Sequence, residues 1–256
     1  MRGNPWAGMM FFWHGLSRLG EPGLRRYVAL PLLLNVLIMS LASWWGISTL
    51  HEQMGALVEW LPGWLSWLYW LLLPLTVITL LLLLMYFFST VLIILASPFN
   101  GLLSEQVERS SGVMLPEESI PALIRRTLGR EMTKLGYLLP RYLLLLVLSV
   151  IPGINLAAPF LWFWFGSWVV ALQYIDYSFD NHGRSFAEVR QAMGQERFTV
   201  LGFGALVALL MTVPVLNWFV MPAAVIGATL LRQQRLPLAD VTGKADVIGY
   251  AERVSE

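Results

Sequence analysis

An all-α integral membrane protein is the fold class this sequence predicts, and three observations carry that expectation. Hydrophobic residues make up 57% of the 256, and charged residues only 13%. A soluble domain carries about a quarter charged residues, so this chain lacks the polar surface to face water on all sides. Four stretches hold no charge at all: Tyr27–Leu50, Trp60–Ser104, Tyr142–Ile175 and Phe198–Leu231. The 12 Trp and 8 Tyr agree, because their amphipathic rings favour the bilayer–water boundary. The expected architecture is one membrane domain. It has two full transmembrane helices, two re-entrant (hemi-penetrating) helical hairpins and an N-terminal interfacial amphipathic helix.

Residues 1–26 hold the interfacial helix, where Trp6, Met9, Met10, Trp13 and Leu16 recur at helical spacing. Residues 27–104 hold the two transmembrane helices. A crossing needs about 20 apolar residues, and the 24-residue first run fits one. A loop, His51–Glu59, should emerge on the far side. The second run contains a Pro-Gly interface segment, LPGWLSWLYW, and then a long helix from Leu71 to about Ala96. At Pro98, Asn100 and Gly101 the pattern breaks, and Glu105, Glu108 and Arg109 then resume helical spacing.

Residues 105–141 read as a cytoplasmic basic helical segment. Pro116 and Pro121 precede Arg125, Arg126, Arg130, Lys134 and Arg141, most of which are expected to face lipid headgroups. Hairpin 1 occupies 142–175, a cytoplasmic loop 176–197, hairpin 2 198–231 and a tail 232–256. Each hairpin run is 34 residues, short of the roughly 40 plus a turn that two crossings need. Each is also interrupted by proline in a repeated pattern: Pro152, Asn155, Pro159 and Pro214, Asn217, Pro222. A single crossing helix with a proline kink is the competing reading. Lys and Arg number four in 1–26, six in 105–141, three in 176–197 and four in 232–256, with none in 51–59. Basic loops stay cytoplasmic, so both termini and both basic segments share one side. Acidic residues nearly balance the basic ones in the later segments, which leaves dual insertion open.

Several function classes drop out. A net charge of +1 offers no basic stripe for nucleic acid, and zero cysteines exclude disulfides and thiolate chemistry. The N-terminus lacks a small-residue cleavage site, so no signal peptide is expected. His14, His51 and His182 lie in separate segments, and no zinc-hydrolase, serine-nucleophile or phosphate-loop motif is present. The chain therefore reads as a non-enzyme with no cofactor and no metal. His182 reads as a satisfied loop histidine, and Gly202 and Gly204 as points of close helix packing.

The stretch EPGLRR is the best candidate site. Pro22 suits the first position of a helix, which would leave the Gly23 and Leu24 amides free at the positive end of the dipole. Arg25 and Arg26 would add forked hydrogen bonds to a tetrahedral oxyanion. An ordinary interfacial arginine pair is the plainer reading. Glu105 and Arg109, four residues apart, should pair on one helix face. They could line a pore in an oligomer or form a solvated salt bridge.

The segments GEPGLRRYVALPLLLN, YFFSTVLIILASPFNGLLSEQVE, LPRYLLLLVLSVIPGIN, QYIDYSFDNHGRSFAEVR and VPVLNWFVMPAAVIGAT, in this order, closely resemble the CysZ family of bacterial inner-membrane sulfate transporters. The resemblance implies ATP-independent sulfate uptake, channel-like or proton-coupled, for assimilation into cysteine. It also implies a homo-oligomer with two full helices and two hemi-penetrating hairpins per protomer. The family's Gly-Leu-Arg sulfate site maps onto Gly23, Leu24 and Arg25, with Arg26 following. Asn35, Asn100, Glu105 and Arg109 are the pore candidates. The expected partners are sulfate, membrane lipid and further copies of the chain. The alternatives are a scaffold for anionic lipid or a partner enzyme, and a carrier of sulfite or thiosulfate.

Overall fold

The computed structural model describes residues 3–60, 62–65, 67–113, 115 and 120–238; Pro116 and the tail from 239 lie outside them. Among the described residues all regular structure is helical, in the order α1 Pro5–Ser17, α2 Arg25–Trp60, α3 Trp67–Ser110, α4 Ile120–Val150, α5 Ala158–Asn181, α6 Phe186–Gln195, α7 Arg197–Met211 and α8 Pro214–Arg235. The chain forms two compact units. One joins the residues up to Arg25 to those from Asn100 onward, and the other is Arg26–Phe99.

Where the two transmembrane helices were expected, Arg25–Thr49 of α2 and Trp67–Leu84 of α3 are both long and apolar enough to cross. Two expectations need correction. The loop at His51–Glu59 is helical, because α2 continues to Trp60; Glu, Gln, Met, Ala and Leu are good helix formers. Nor does the helix break at Pro98–Gly101. It runs from Trp67 to Ser110, 44 residues or about 66 Å. In apolar surroundings a freed backbone group finds no water, which keeps a helix intact past a proline.

The first unit holds both hairpins. Lys134 Nζ meets Asp176 at 2.6 Å, and Trp162 Nε1 donates to Ser149 Oγ at 2.9 Å, so α4 and α5 run antiparallel. Gly153, at φ +86°, and a short 3₁₀ turn over Ile154–Ala157 make the bend. α7 and α8 are joined by two residues and pack on each other. The chain folds back at both places, in preference to a single kinked helix. The two proline repeats nevertheless fold differently: Pro152 lies in a turn, Pro214 opens α8, and Pro222 sits inside α8. By length and composition alone α4 and α5 each qualify as a crossing, whereas the 15-residue α7 is shorter.

Asn4 caps α1 by accepting from the Trp6 N–H, with Pro5 at the first helical position. The helix buries Gly8, Phe11, Phe12 and Gly15 against α7 and α8, and exposes Trp6, Met10 and Trp13. The contact depends on backbone approach. A Cβ on Gly202 would run into the Pro5 carbonyl, and one on Gly204 into the Ser167 carbonyl of α5. This is the packing role expected of both glycines.

Candidate functional site

The segment Gly23–Arg26 stands where α2 begins. The helix starts at Arg25, and Pro22–Leu24 form the turn before it. The Leu24 and Arg25 N–H groups both donate to the Glu21 carbonyl, at 2.9 and 3.0 Å. The Leu24 amide is therefore already used, and its side chain is buried. Gly23 is exposed, and a Cβ placed on it would come no nearer than 3.8 Å to Gln106 of α3. Glu21 is held by Arg18 through a two-pronged pair, 2.6 and 2.9 Å. The exposed Arg25 consequently has no carboxylate partner among the described residues. Arg26 is exposed too, with its guanidinium 4.9 Å from the Tyr27 ring and donating to the Tyr27 hydroxyl.

Three of the four pore candidates lie on α3. Glu105 accepts from Arg109 at 2.7 Å, an exposed i,i+4 pair on α3. Asn100 lies on the same helix, buried. In the other unit Asn35 is fully buried on α2, and neither its amide nitrogen nor its oxygen has a hydrogen-bond partner. Such a group costs about 1–3 kcal/mol.

A larger polar construction escaped the sequence reading. Three of the basic residues expected to face lipid headgroups turn inward instead. Asp176 accepts from Arg130 Nε at 2.9 Å and from Lys134, and its side chain is 3% exposed. Asp180 pairs with Arg126, and Arg130 approaches it to 3.4 Å. Arg141 remains exposed over the Tyr137 ring at 3.7 Å, and Arg125 is also exposed. Across the unit, Glu108 on α3 is fully buried and ion-paired with Arg232 of α8. Ser178 bridges them, accepting from Arg232 Nε at 2.7 Å and donating to Glu108 at 2.6 Å. His182 Nε2 lies 3.0 Å from both Glu108 and Arg232. Burial, with the Arg184 guanidinium adding to it, holds the His182 imidazole below its ordinary value of 6.5. It is therefore neutral at pH 7. The DYSFDNH stretch thus works on two faces: Asp176 and Asp180 hold α4, while Ser178 and His182 hold α3 and α8.

A family model described as sulfate transporter CysZ/Etoposide-induced protein 2.4 matches residues 11–222. The chain belongs to that family. The CysZ-family match takes in Gly23–Arg26, all four pore candidates and every member of the buried network except Arg232. In this CysZ-family chain the signal that could have exposed the network is one of spacing. Asp176 and Asp180 at i,i+4 answer a basic row, Arg126, Arg130 and Lys134, at the same interval.

Proposed function

We propose that this protein carries sulfate across a bacterial inner membrane into the cytoplasm, supplying reductive assimilation into cysteine. The turn Gly23–Leu24–Arg25, with Arg26 following, is the dock. One observation carries the reading: Arg25 is an exposed cation with no carboxylate partner among the described residues, just before the uncharged run Tyr27–Leu50, in a chain of this family. Buried cations elsewhere in the chain, such as Arg130 and Arg232, are matched by carboxylates. The Gly23 N–H and the Arg25 guanidinium are the donors the turn offers; the Leu24 amide is bonded to Glu21. Two negative charges moving against about 100 mV, negative inside, cost ~5 kcal/mol. Uptake therefore depends on assimilation keeping internal sulfate low, or on coupling to protons.

The route is wet and polar, because a dianion cannot shed its water into hydrocarbon. Asn35, Asn100, Glu105 and Arg109 are its candidate lining in a homo-oligomer. Hairpin 1 is re-entrant in this reading. From Tyr142, after the last charge on α4, to Val150 is nine residues or about 14 Å, against a hydrocarbon core of about 30 Å. Its tip is apolar and exposed, with Val150, Leu156 and Phe160 each more than 70% accessible.

Calorimetry on purified protein and labelled sulfate uptake into liposomes, with and without a pH gradient, test the proposal. Arg25→Ala should weaken sulfate binding about 10- to 100-fold, the worth of charge-assisted hydrogen bonds of ~1.5–3 kcal/mol. Unchanged affinity in that variant refutes the dock. A guanidinium fork suits any small oxyanion that offers two oxygens on one centre, so competition with sulfite and thiosulfate ranks the substrates.

A further inference from the structure

The outer face between α5 and α7 carries a groove that nothing in the transport reading uses. Its upper part is a depression of about 590 Å³ lined by Trp164, Trp168, Gly194, Arg197, Phe198 and Leu201. A second hollow of about 190 Å³ shares Trp164, Phe198 and Leu201 and continues past Phe163, Gly202 and Ala205 toward Met9 of α1. On α7, Arg197, Leu201 and Ala205 are spaced i, i+4, i+8 and so lie along one face about 12 Å long. On α5 the order is reversed: Trp168 lies at the arginine end, and Phe163 and Trp164 lie deeper.

Chemistry changes along this line. Arg197 stands where the charged α6 gives way to the uncharged run Phe198–Leu231, which is the level of a bilayer surface. It has no carboxylate partner among the described residues, since the neighbouring Glu196 accepts from Thr199. The Arg197 Nε and Trp168 Nε1 groups are buried without hydrogen-bond acceptors. Below them the walls are aromatic and aliphatic. A half-exposed cation with no carboxylate partner at the surface end, joined to an apolar channel running inward, matches a molecule with an anionic head and a hydrocarbon tail. We propose that this groove is a specific binding site for an anionic phospholipid, with the headgroup phosphate on Arg197 and one acyl chain lying between Trp164 and Leu201 toward Ala205.

Native mass spectrometry of the full-length protein, delipidated in detergent and titrated with phosphatidylglycerol or with phosphatidylcholine of the same chain length, reads this directly. The wild type should retain phosphatidylglycerol preferentially. Arg197→Gln should weaken that binding roughly tenfold, the loss of one charge-assisted contact, and abolish the preference over phosphatidylcholine. Ala205→Phe, which narrows the groove and leaves the cation, should weaken both lipids alike; thermal melts confirm that each variant is folded. The proposal fails if Arg197→Gln keeps the headgroup preference. It fails equally if inorganic phosphate competes as well as the lipid does, or if the two variants change oligomer size without changing lipid retention.

Discussion

Arg232→Met is the sharpest perturbation of the buried network. Glu108 is fully buried, and the Arg232 side chain is 7% exposed. Removing the guanidinium leaves a carboxylate with Ser178 at 2.6 Å and a neutral His182 at 3.0 Å, and no opposing charge in contact among the described residues. Breaking one side of a buried pair costs about 3–5 kcal/mol, most of it the penalty of the stranded charge. At roughly 2–4 °C per kcal/mol for a chain of this size, the melting temperature should fall by on the order of 10 °C. The double variant Glu108→Gln/Arg232→Met should recover most of the loss, because the amide still accepts from Ser178 and carries no charge. Thermal unfolding in one detergent, followed by intrinsic tryptophan fluorescence, gives all the required values. If Arg232→Met melts with the wild type, or if the double variant melts no higher than the single, the stranded-charge argument is wrong.

Two further predictions follow from the same unit. His182 has a folded-state value below 6.5 because of burial and Arg184, with Arg232 also in contact and Glu108 the sole acid touching it among the described residues. The unfolded chain thus takes up a proton first on acidification. The stabilisation is complete above about pH 6.5 and drains away as pH falls toward the folded value. Melting curves from pH 7.5 to 5.5 should therefore drop more steeply for the wild type than for His182→Gln. Gly204→Val drives a side chain into the Ser167 carbonyl of α5. It should cost at least the ~1–3 kcal/mol of an overpacked contact, read as a lower melting temperature than that of Gly101→Val, where a Cβ meets open space.

The helical class and the placement of most helices were legible because the bilayer demands long uncharged runs, and those runs are visible without partners. Helix ends were less legible. The residues of His51–Glu59 favour a helix, but propensity alone does not say whether a helix continues there or past Pro98–Gly101, since that depends on what surrounds the backbone. A helix start close to Pro22 was legible, but its amide geometry was not: the helix begins at Arg25, and whether Leu24 keeps a free N–H depends on one carbonyl, that of Glu21. The network was missed for a different reason. Glu108 and Arg232 are 124 positions apart, and spacing along α4 cannot say whether Arg130 faces lipid headgroups or a carboxylate from another helix.

The position of that network bears on topology. The uncharged run of α5 ends at Ile175, followed at once by Asp176, and that of α8 ends at Leu231, followed by Arg232; the run in α3 ends at Ser104, four residues before Glu108. Glu108 pairs with Arg232, Asp176 pairs with α4, and Ser178 of α5 hydrogen-bonds to both Glu108 and Arg232, so the ends of three apolar segments are tied by buried polar contacts. On α4 the partners Arg130 and Lys134 face Asp176, which puts the charged ends of both limbs of hairpin 1 together and its apolar tip at the opposite end. Drawing that tip through to water on the far side would bring Arg130 and Lys134 toward the hydrocarbon, where a charge at the centre costs at least ~2.5–3.5 kcal/mol. In the proposed re-entrant topology, the hairpin is rooted in ion pairs and its tip, with Leu156 and Phe160 exposed, stops in lipid. Cysteines introduced singly along Ile151–Ala157 of this cysteine-free chain test it: they should resist a membrane-impermeant maleimide from both sides. Labelling from the side opposite the termini would make α4 and α5 two full crossings.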